Sequence, residues 1–518
     1  MTTSAGNFRM LPPYRLGKAS NSILGSIGTA LFVSIGNGLG AGGPASLLIA
    51  YTLYCMILAA VNNCLAEMTV LHPISGGFIR LAGKWVDDAV GFMVGWNFFI
   101  YEALMIPFEI RAINLILSYW RDDIPVAAVC AVCIVLYALL NILAVTAYGE
   151  AEFWLSSGKV ILIFMLFCFT FITMVGGNPE YDVYGFRNWQ DPSAFAEYRT
   201  AGNLGRFQGT LAAYISMTAG EAAYPRTFIK TAYKTIYYRF GLFFILGSLC
   251  VGIVVSFNDP TIQAILAGES SKKGGGSSHY VIAMKNLEIA VLPDIVNALL
   301  ITSVFSAGNT LTYCATRSLY ELALEGRAPK ILSKTTAKGV PIYAFIVVLA
   351  FPFLSFLQLS NNSSEVLNWL VSLVTAGALV DYLVICITFI QFYRACKAQG
   401  IDRRSFPYFG YLQPYCAYIG VAAMIFVLLF YGYTAFDPWS VEKFFQNYTM
   451  QLVAPILYLG WKFVHGTKAI SPSELDLVWE RPLIDAYEAS LPDNPPTFWQ
   501  EMHEMIGIKR KGTKDSDA

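Results

Sequence analysis

Apolar runs long enough to cross a lipid bilayer recur along this chain, and that recurrence constrains its fold more than any motif does. They lie at about 45–65, 89–118, 125–146, 159–176, 238–256, 286–312, 341–358, 365–392, 411–435 and 445–464. A helix rises about 1.5 Å per residue, so about 20 apolar residues span a hydrocarbon layer of roughly 30 Å while satisfying their own backbone polar groups. Two further runs, 22–35 and 207–223, are apolar but short. At that rise they cover only about 21–26 Å. Counting both predicts an all-α polytopic membrane protein with about twelve transmembrane helices. Composition agrees, since 56% of the 518 residues are apolar and only 14% charged, against roughly 25% charged in soluble domains.

Charge placement orients these segments, because Lys and Arg collect in cytoplasmic loops. With the N-terminus inside, the cytoplasmic connections carry Arg80 and Lys84, then Lys159 at a helix entry, then Arg226, Lys230, Lys234 and Arg239. Further along they carry Arg317, Arg327, Lys330, Lys334 and Lys338, then Arg394, Lys397, Arg403 and Arg404. The opposite loops 36–44 and 359–364 have no cation, and Arg121 is outweighed by Asp122 and Asp123. The predicted organisation is a cytoplasmic leader at 1–20, a transmembrane domain at 21–465 and a cytoplasmic tail at 466–518, both termini inside. The tail is polar and Pro-interrupted, so it reads as partly disordered, with room for cytoplasmic regulators to bind. Two longer connections, 177–206 and 257–285, fall outside, and Gly274-Gly275-Gly276-Ser277-Ser278 in the second reads as a flexible connector. Sequons make Asn361, Asn362 and Asn447 glycosylation candidates in predicted exterior loops.

Several function classes are excluded. Lys plus Arg and Asp plus Glu both number 35, so no basic excess points to nucleic acid. Eight of the ten Cys sit inside apolar runs, where a thiol acts as a small hydrophobe, and Cys130-x-x-Cys133 lacks a second ligand pair. No disulfide and no metal are expected. A nucleotide-driven pump needs a phosphate loop and a soluble motor, yet the largest non-spanning piece is the tail. No Ser-His-Asp set or paired-His motif is present, so an enzyme is not expected. The reading is a protein without cofactors.

The first short run, Leu24-Gly25-Ser26-Ile27-Gly28-Thr29-Ala30-Leu31-Phe32-Val33, places glycines and hydroxyls inside an apolar stretch. Taken alone it reads as a small-residue helix contact. The second short run lies five helices later, and paired short or interrupted segments in matching halves mark transporter sites. Broken helices expose backbone amides and carbonyls at mid-membrane, which suits the carboxylate and ammonium of a small zwitterion.

Motifs then follow in a specific order. Gly25-Ser26-Ile27-Gly28-Thr29 precedes Gly42-Gly43-Pro44-Ala45-Ser46, Pro73-Ile74-Ser75-Gly76-Gly77-Phe78 and Pro107-Phe108-Glu109-Ile110. After them come Gly149-Glu150-Ala151-Glu152-Phe153-Trp154 with Lys159, Gly220-Glu221-Ala222, Ser306-Ala307-Gly308-Asn309, and Trp479 with Arg481-Pro482. Over about 20–485 the series resembles the fungal amino acid permeases, the yeast amino acid transporter family of the amino acid–polyamine–organocation superfamily. The resemblance implies a five-plus-five inverted repeat with discontinuous helices 1 and 6 plus two extra C-terminal helices, and a proton-coupled importer of the plasma membrane. It assigns Gly25, Ser26, Ile27, Gly28 and Thr29 to the unwound part of helix 1 that holds the substrate's carboxylate. Glu109, Tyr214, Ser306 and Asn309 would lie along the substrate path on helices 3, 6 and 8, and Lys159 would take part in proton coupling. An ionisable group inside a membrane segment is costly and defaults to a functional hypothesis. Snorkelling of Lys159 to the headgroups is the rival. The alternative to a symporter is a non-transporting amino acid sensor or inactive relative that keeps the scaffold.

Overall fold

The computed structural model describes residues 35–74, 76–121, 123–143, 145–220, 237–238, 240–266, 278–336, 339–359, 361–436, 438–479 and 481–482. The stretch from Gly25 to Thr29 lies outside them. The described residues are helical and contain no strand, only an isolated bridge between Phe436 and Trp439. The principal helices are α1 (Ile35–Leu71), α2 (Gly77–Trp85), α3 (Asp88–Leu117), α4 (Val126–Leu143), α5 (Val145–Met174), α6 (Gly202–Gly220), α7 (Leu246–Val254), α8 (Pro260–Leu266) and α9 (His279–Asn286). They continue as α10 (Leu292–Leu324), α11 (Ile342–Leu349), α12 (Asn361–Ala398), α13 (Tyr415–Phe430) and α14 (Val441–His465). Among the described residues, six stretches are long and apolar enough to cross a membrane: Gly38–Leu71, Asp88–Leu117, Leu292–Leu324, Ile342–Leu359, Ala376–Ala398 and Tyr415–Ala435. Val126–Ile142, Gly158–Met174 and Gly241–Val254 are apolar but shorter.

Segment 36–44, expected as a loop, is helical and continuous with α1 except at one residue. Gly43 has φ 79° and ψ 173°, a conformation that L side chains rarely adopt, and Pro44 after it has no N–H to donate. The connection before α6 satisfies the interrupted backbone: Ala45 N–H donates to Ala194 O and Ala196 N–H to Gly42 O, both 2.9 Å. At this level α1 and α6 approach on bare backbone, because a Cβ on Gly42 would lie 2.7 Å from Gly209 O. A hydroxyl pair, Ser46 with Thr210 at 2.8 Å, completes a contact between small residues. Helix α6 starts before the apolar run does, since exposed polar residues such as Asn203 and Arg206 extend it beyond the lipid-compatible stretch.

Helix α3 is the hub, crossing both α10 and α12. The Asp87 side chain caps it by accepting from Ala89 N–H at 3.1 Å and receives Lys462 Nζ at 2.6 Å. Beside the cap, Arg327 reaches Asp88 Oδ1 at 2.7 Å, and its guanidinium fills space that glycines leave open: a Cβ on Gly83 would lie 2.0 Å from Nη2. Deeper in the bundle, Asn97 Nδ2 donates to Asp381 Oδ1 and to Gly377 O, each at 2.8 Å, tying α3 to α12.

Two further expectations need correcting. Asn361 and Asn362 lie in α12 and Asn447 inside α14, donating from Nδ2 to Lys443 O, so none sits in the exterior loop expected for it. The run read as 286–312 continues as α10 to Leu324, past the end of its apolar part. The first residues of the tail are ordered against the bundle. Gln391 donates to Ile470 O and Gln399 to Leu475 O, both at 2.7 Å, and Trp85 Nε1 donates to Asp476 O at 3.2 Å. Leu475 and Leu477 are buried there, and Trp479 packs against Arg80 and His72.

Candidate functional site

The predicted site residues fall into three groups by position. Glu109 on α3 and Ser306 and Asn309 on α10 are all buried, at 4%, 0% and 0% exposure. Helix α4 brings two further residues towards Asn309 and Glu109. Asn141 Nδ2 donates to Asn309 Oδ1 at 2.9 Å, and one turn earlier Tyr137 stacks on Phe305 with ring centroids 4.9 Å apart. The Tyr137 hydroxyl lies over Gly308 and within electrostatic reach of Glu109. The cluster therefore joins α3, α4 and α10.

Two of its polar atoms, Tyr137 Oη and Asn309 Nδ2, are buried with no hydrogen-bond partner among the described residues. Leaving a buried donor or acceptor unsatisfied costs on the order of 1–3 kcal/mol. They are therefore unfavourable unless something else meets them. The types suit a zwitterion: an amide donor for a carboxylate, and hydroxyl and carboxylate oxygens as acceptors for an ammonium.

Lys159 is on α5, which packs along α10, and Gly158 beside it approaches Thr302. Its side chain is fully enclosed by protein, so snorkelling to headgroups does not describe it. Tyr214 on α6 takes a different position, edge-on to Tyr54 of α1 with centroids 6.0 Å apart, and no described contact joins it to the Asn141–Asn309 pair. Gly25, Ser26, Ile27, Gly28 and Thr29 lie outside the described residues. Sequence reasoning missed Tyr137 and Asn141. Their one signal was an amide and a phenol in an otherwise apolar run at 125–146.

Comparison with known proteins gives a consistent picture. The family model for amino acid permeases matches residues 19–469. The chain is 45% identical to the general amino acid permease AGP2 of Saccharomyces cerevisiae over 489 residues, which are 90% of this chain and 82% of that protein. It is 35% identical to a proline-specific permease of Emericella nidulans, covering 93% of this chain and 90% of the relative. A dicarboxylic amino acid permease of S. cerevisiae is 34% identical, with coverage of 90% and 79%. These relatives are permeases and not enzymes, and with the apolar helices above, the chain belongs to the amino acid permease family.

Proposed function

We propose that this permease is a proton-coupled symporter importing an amino acid across the plasma membrane by alternating access, with both termini cytoplasmic. The supporting observation is a pair of buried polar atoms where α4 meets α10 that have no partner among the described residues: Asn309 Nδ2, and Tyr137 Oη within electrostatic reach of Glu109. In this reading a substrate meets them, and the backbone of residues 25–29 supplies further donors to its carboxylate. The twelve crossings and the five-plus-five repeat belong to the same reading. Each half then contributes one broken helix at the shared site. Lys159, enclosed beside α10, carries a charge whose cost of burial changes with its surroundings, which fits a group that gains and loses a proton during the cycle.

The test is uptake of a panel of labelled amino acids by cells lacking their own permeases, at falling external pH and with a protonophore. Accumulation that rises with acidity and collapses with the protonophore is expected. Sodium-dependent uptake indifferent to protonophore overturns the coupling. Binding without uptake would mean that the scaffold serves as a sensor.

A further inference from the structure

The connection between α7 and α10 carries a histidine that the transport site does not use. His279, the first residue of α9, is 3% exposed, and its ring rests directly on the backbone of Gly36 near the start of α1. A Cβ on Gly36 would lie 1.5 Å from Nε2 and 1.8 Å from Cε1, so no other residue at position 36 permits this contact. Among the described residues, Nδ1 is buried without a hydrogen-bond partner, and so is Oγ of the preceding Ser278. Next along the chain, the Tyr280 hydroxyl donates to Gly247 O at 3.4 Å and ties α9 to the bundle. Gly36 of α1 is thus held against an imidazole whose Nδ1 is free of any described partner.

The groups around the ring decide what a proton would do there. Residues 35–50 of α1 include no titratable side chain, and α7 contributes the neutral Cys250 near Tyr280. Lys285, at the far end of α9, lies over the Tyr119 ring at 4.4 Å. On the α10 side, Asp294 accepts from Trp120 Nε1 at 2.7 Å. Among the described residues, the charge whose field reaches His279 is Asp259, just before α8. Its carboxylate accepts from Thr261 N–H at 2.8 Å and from Asn286 Nδ2 at 2.7 Å. Burial pushes the imidazole down to about 4, and Asp259 only partly opposes that. A neutral ring is therefore compatible with the packed position, and an imidazolium is not without water or a closer approach to Asp259.

We propose that His279 is an external proton-binding latch: its neutral ring packs on the backbone of α1 at Gly36, and a proton taken at Nδ1 from outside water releases that contact. This rests on the symport reading given above, which places residues 257–285 on the outer side. The only bond formed is N–H, the donor is hydronium, and the proton returns to solvent when the ring repacks. As pH falls from 6.5 towards 4, the released form takes up protons that the packed form refuses, so acid favours release.

Two readouts test this on the full chain in lipid nanodiscs and in cells. The first is amide hydrogen exchange in peptides covering 35–42 and 279–286, corrected for the intrinsic pH dependence of exchange. Protection should fall between pH 6.5 and 4 in the wild type and stay level in His279→Phe and His279→Gln. Gly36→Ala, whose methyl displaces the ring, should lose protection already at neutral pH. The second is the substrate KM for uptake, which should fall with acidity by up to about tenfold per pH unit as the competent fraction grows, and lose that step in His279→Phe. Wild-type protection that does not change with pH, or a pH step that survives in the Phe and Gln variants, overturns the latch. Exchange that responds through His279 with no amino acid taken up would uphold the latch and overturn the symport reading.

Discussion

Arg403 and Glu67 meet as a fork: Nε lies 2.7 Å from one carboxylate oxygen and Nη2 2.7 Å from the other, across 336 residues of chain. The Glu67 side chain is fully buried, and its Oε2 also accepts from Gly410 N–H at 3.0 Å. The guanidinium lies 5.0–5.7 Å from the ring centroids of Phe389, Tyr393 and Phe409. From sequence Arg403 was one more cation of a cytoplasmic loop. In the fold it is the bolt that fixes the loop after α12 onto α1.

Removing one partner strands the other. Arg403→Ala is expected to destabilise the protein by about 3–5 kcal/mol, because an uncompensated carboxylate remains buried. The double variant Glu67→Leu with Arg403→Met should recover much of that loss. Thermal unfolding in detergent reads both, and an Arg403→Ala variant that melts like the wild type would show that the pair carries no such role.

Lys159 is expected to matter to coupling. Lys159→Ala should lower proton-driven uptake by about tenfold or more, equivalent to losing at least about 1.4 kcal/mol, while the amount at the cell surface is kept. Lys159→Arg should retain some activity, since it preserves charge but cannot release its proton at ordinary pH. Uptake alongside surface biotinylation separates these outcomes, and normal transport by the Ala variant reduces Lys159 to a packing residue.

The crossing of α4 and α10 leaves no room at Gly308. A methyl there would lie 2.1 Å from Tyr137 Oη, and that ring is pinned by its stacking on Phe305. Gly308→Ala should cost about 1–3 kcal/mol through overpacking and weaken substrate affinity. Adding Tyr137→Leu should restore stability but not affinity, if the phenol is part of the binding surface. Melting temperature and KM measured on the same set of variants distinguish the two effects.

The ordered part of the tail depends on one indole. Trp479 lies 4.7 Å from the Arg80 guanidinium and 6.2 Å from the His72 ring, centroid to centroid. Cation–π contacts of this kind contribute about 0.5–2 kcal/mol. Trp479→Ala should therefore let the strap detach more often, and trypsin should cut after Lys468 several times faster in native protein. An unchanged cleavage rate would mean that the carbonyl contacts from Gln391, Gln399 and Trp85 hold the strap by themselves.

The sequence by itself determined that the chain is helical and where most apolar segments lie, because the free energy of placing a segment in lipid is close to a local sum over its residues. That sum put segments at 89–118 and 125–146, against Asp88–Leu117 and Val126–Leu143 in the fold. It failed where the local sum was not the deciding quantity. Polar residues extended α6 and α10 past their apolar runs, and the first residues of the tail are held by side-chain contacts with α2, α12 and Gln399 rather than by an apolar run of their own. The motifs named the family, yet they did not reveal that Asn141 would face Asn309, that Arg403 would reach Glu67, or that His279 would rest on Gly36. Those pairings depend on how each helix is rotated and crossed against its neighbours. No period in a single sequence encodes that, so only the tertiary structure decided them.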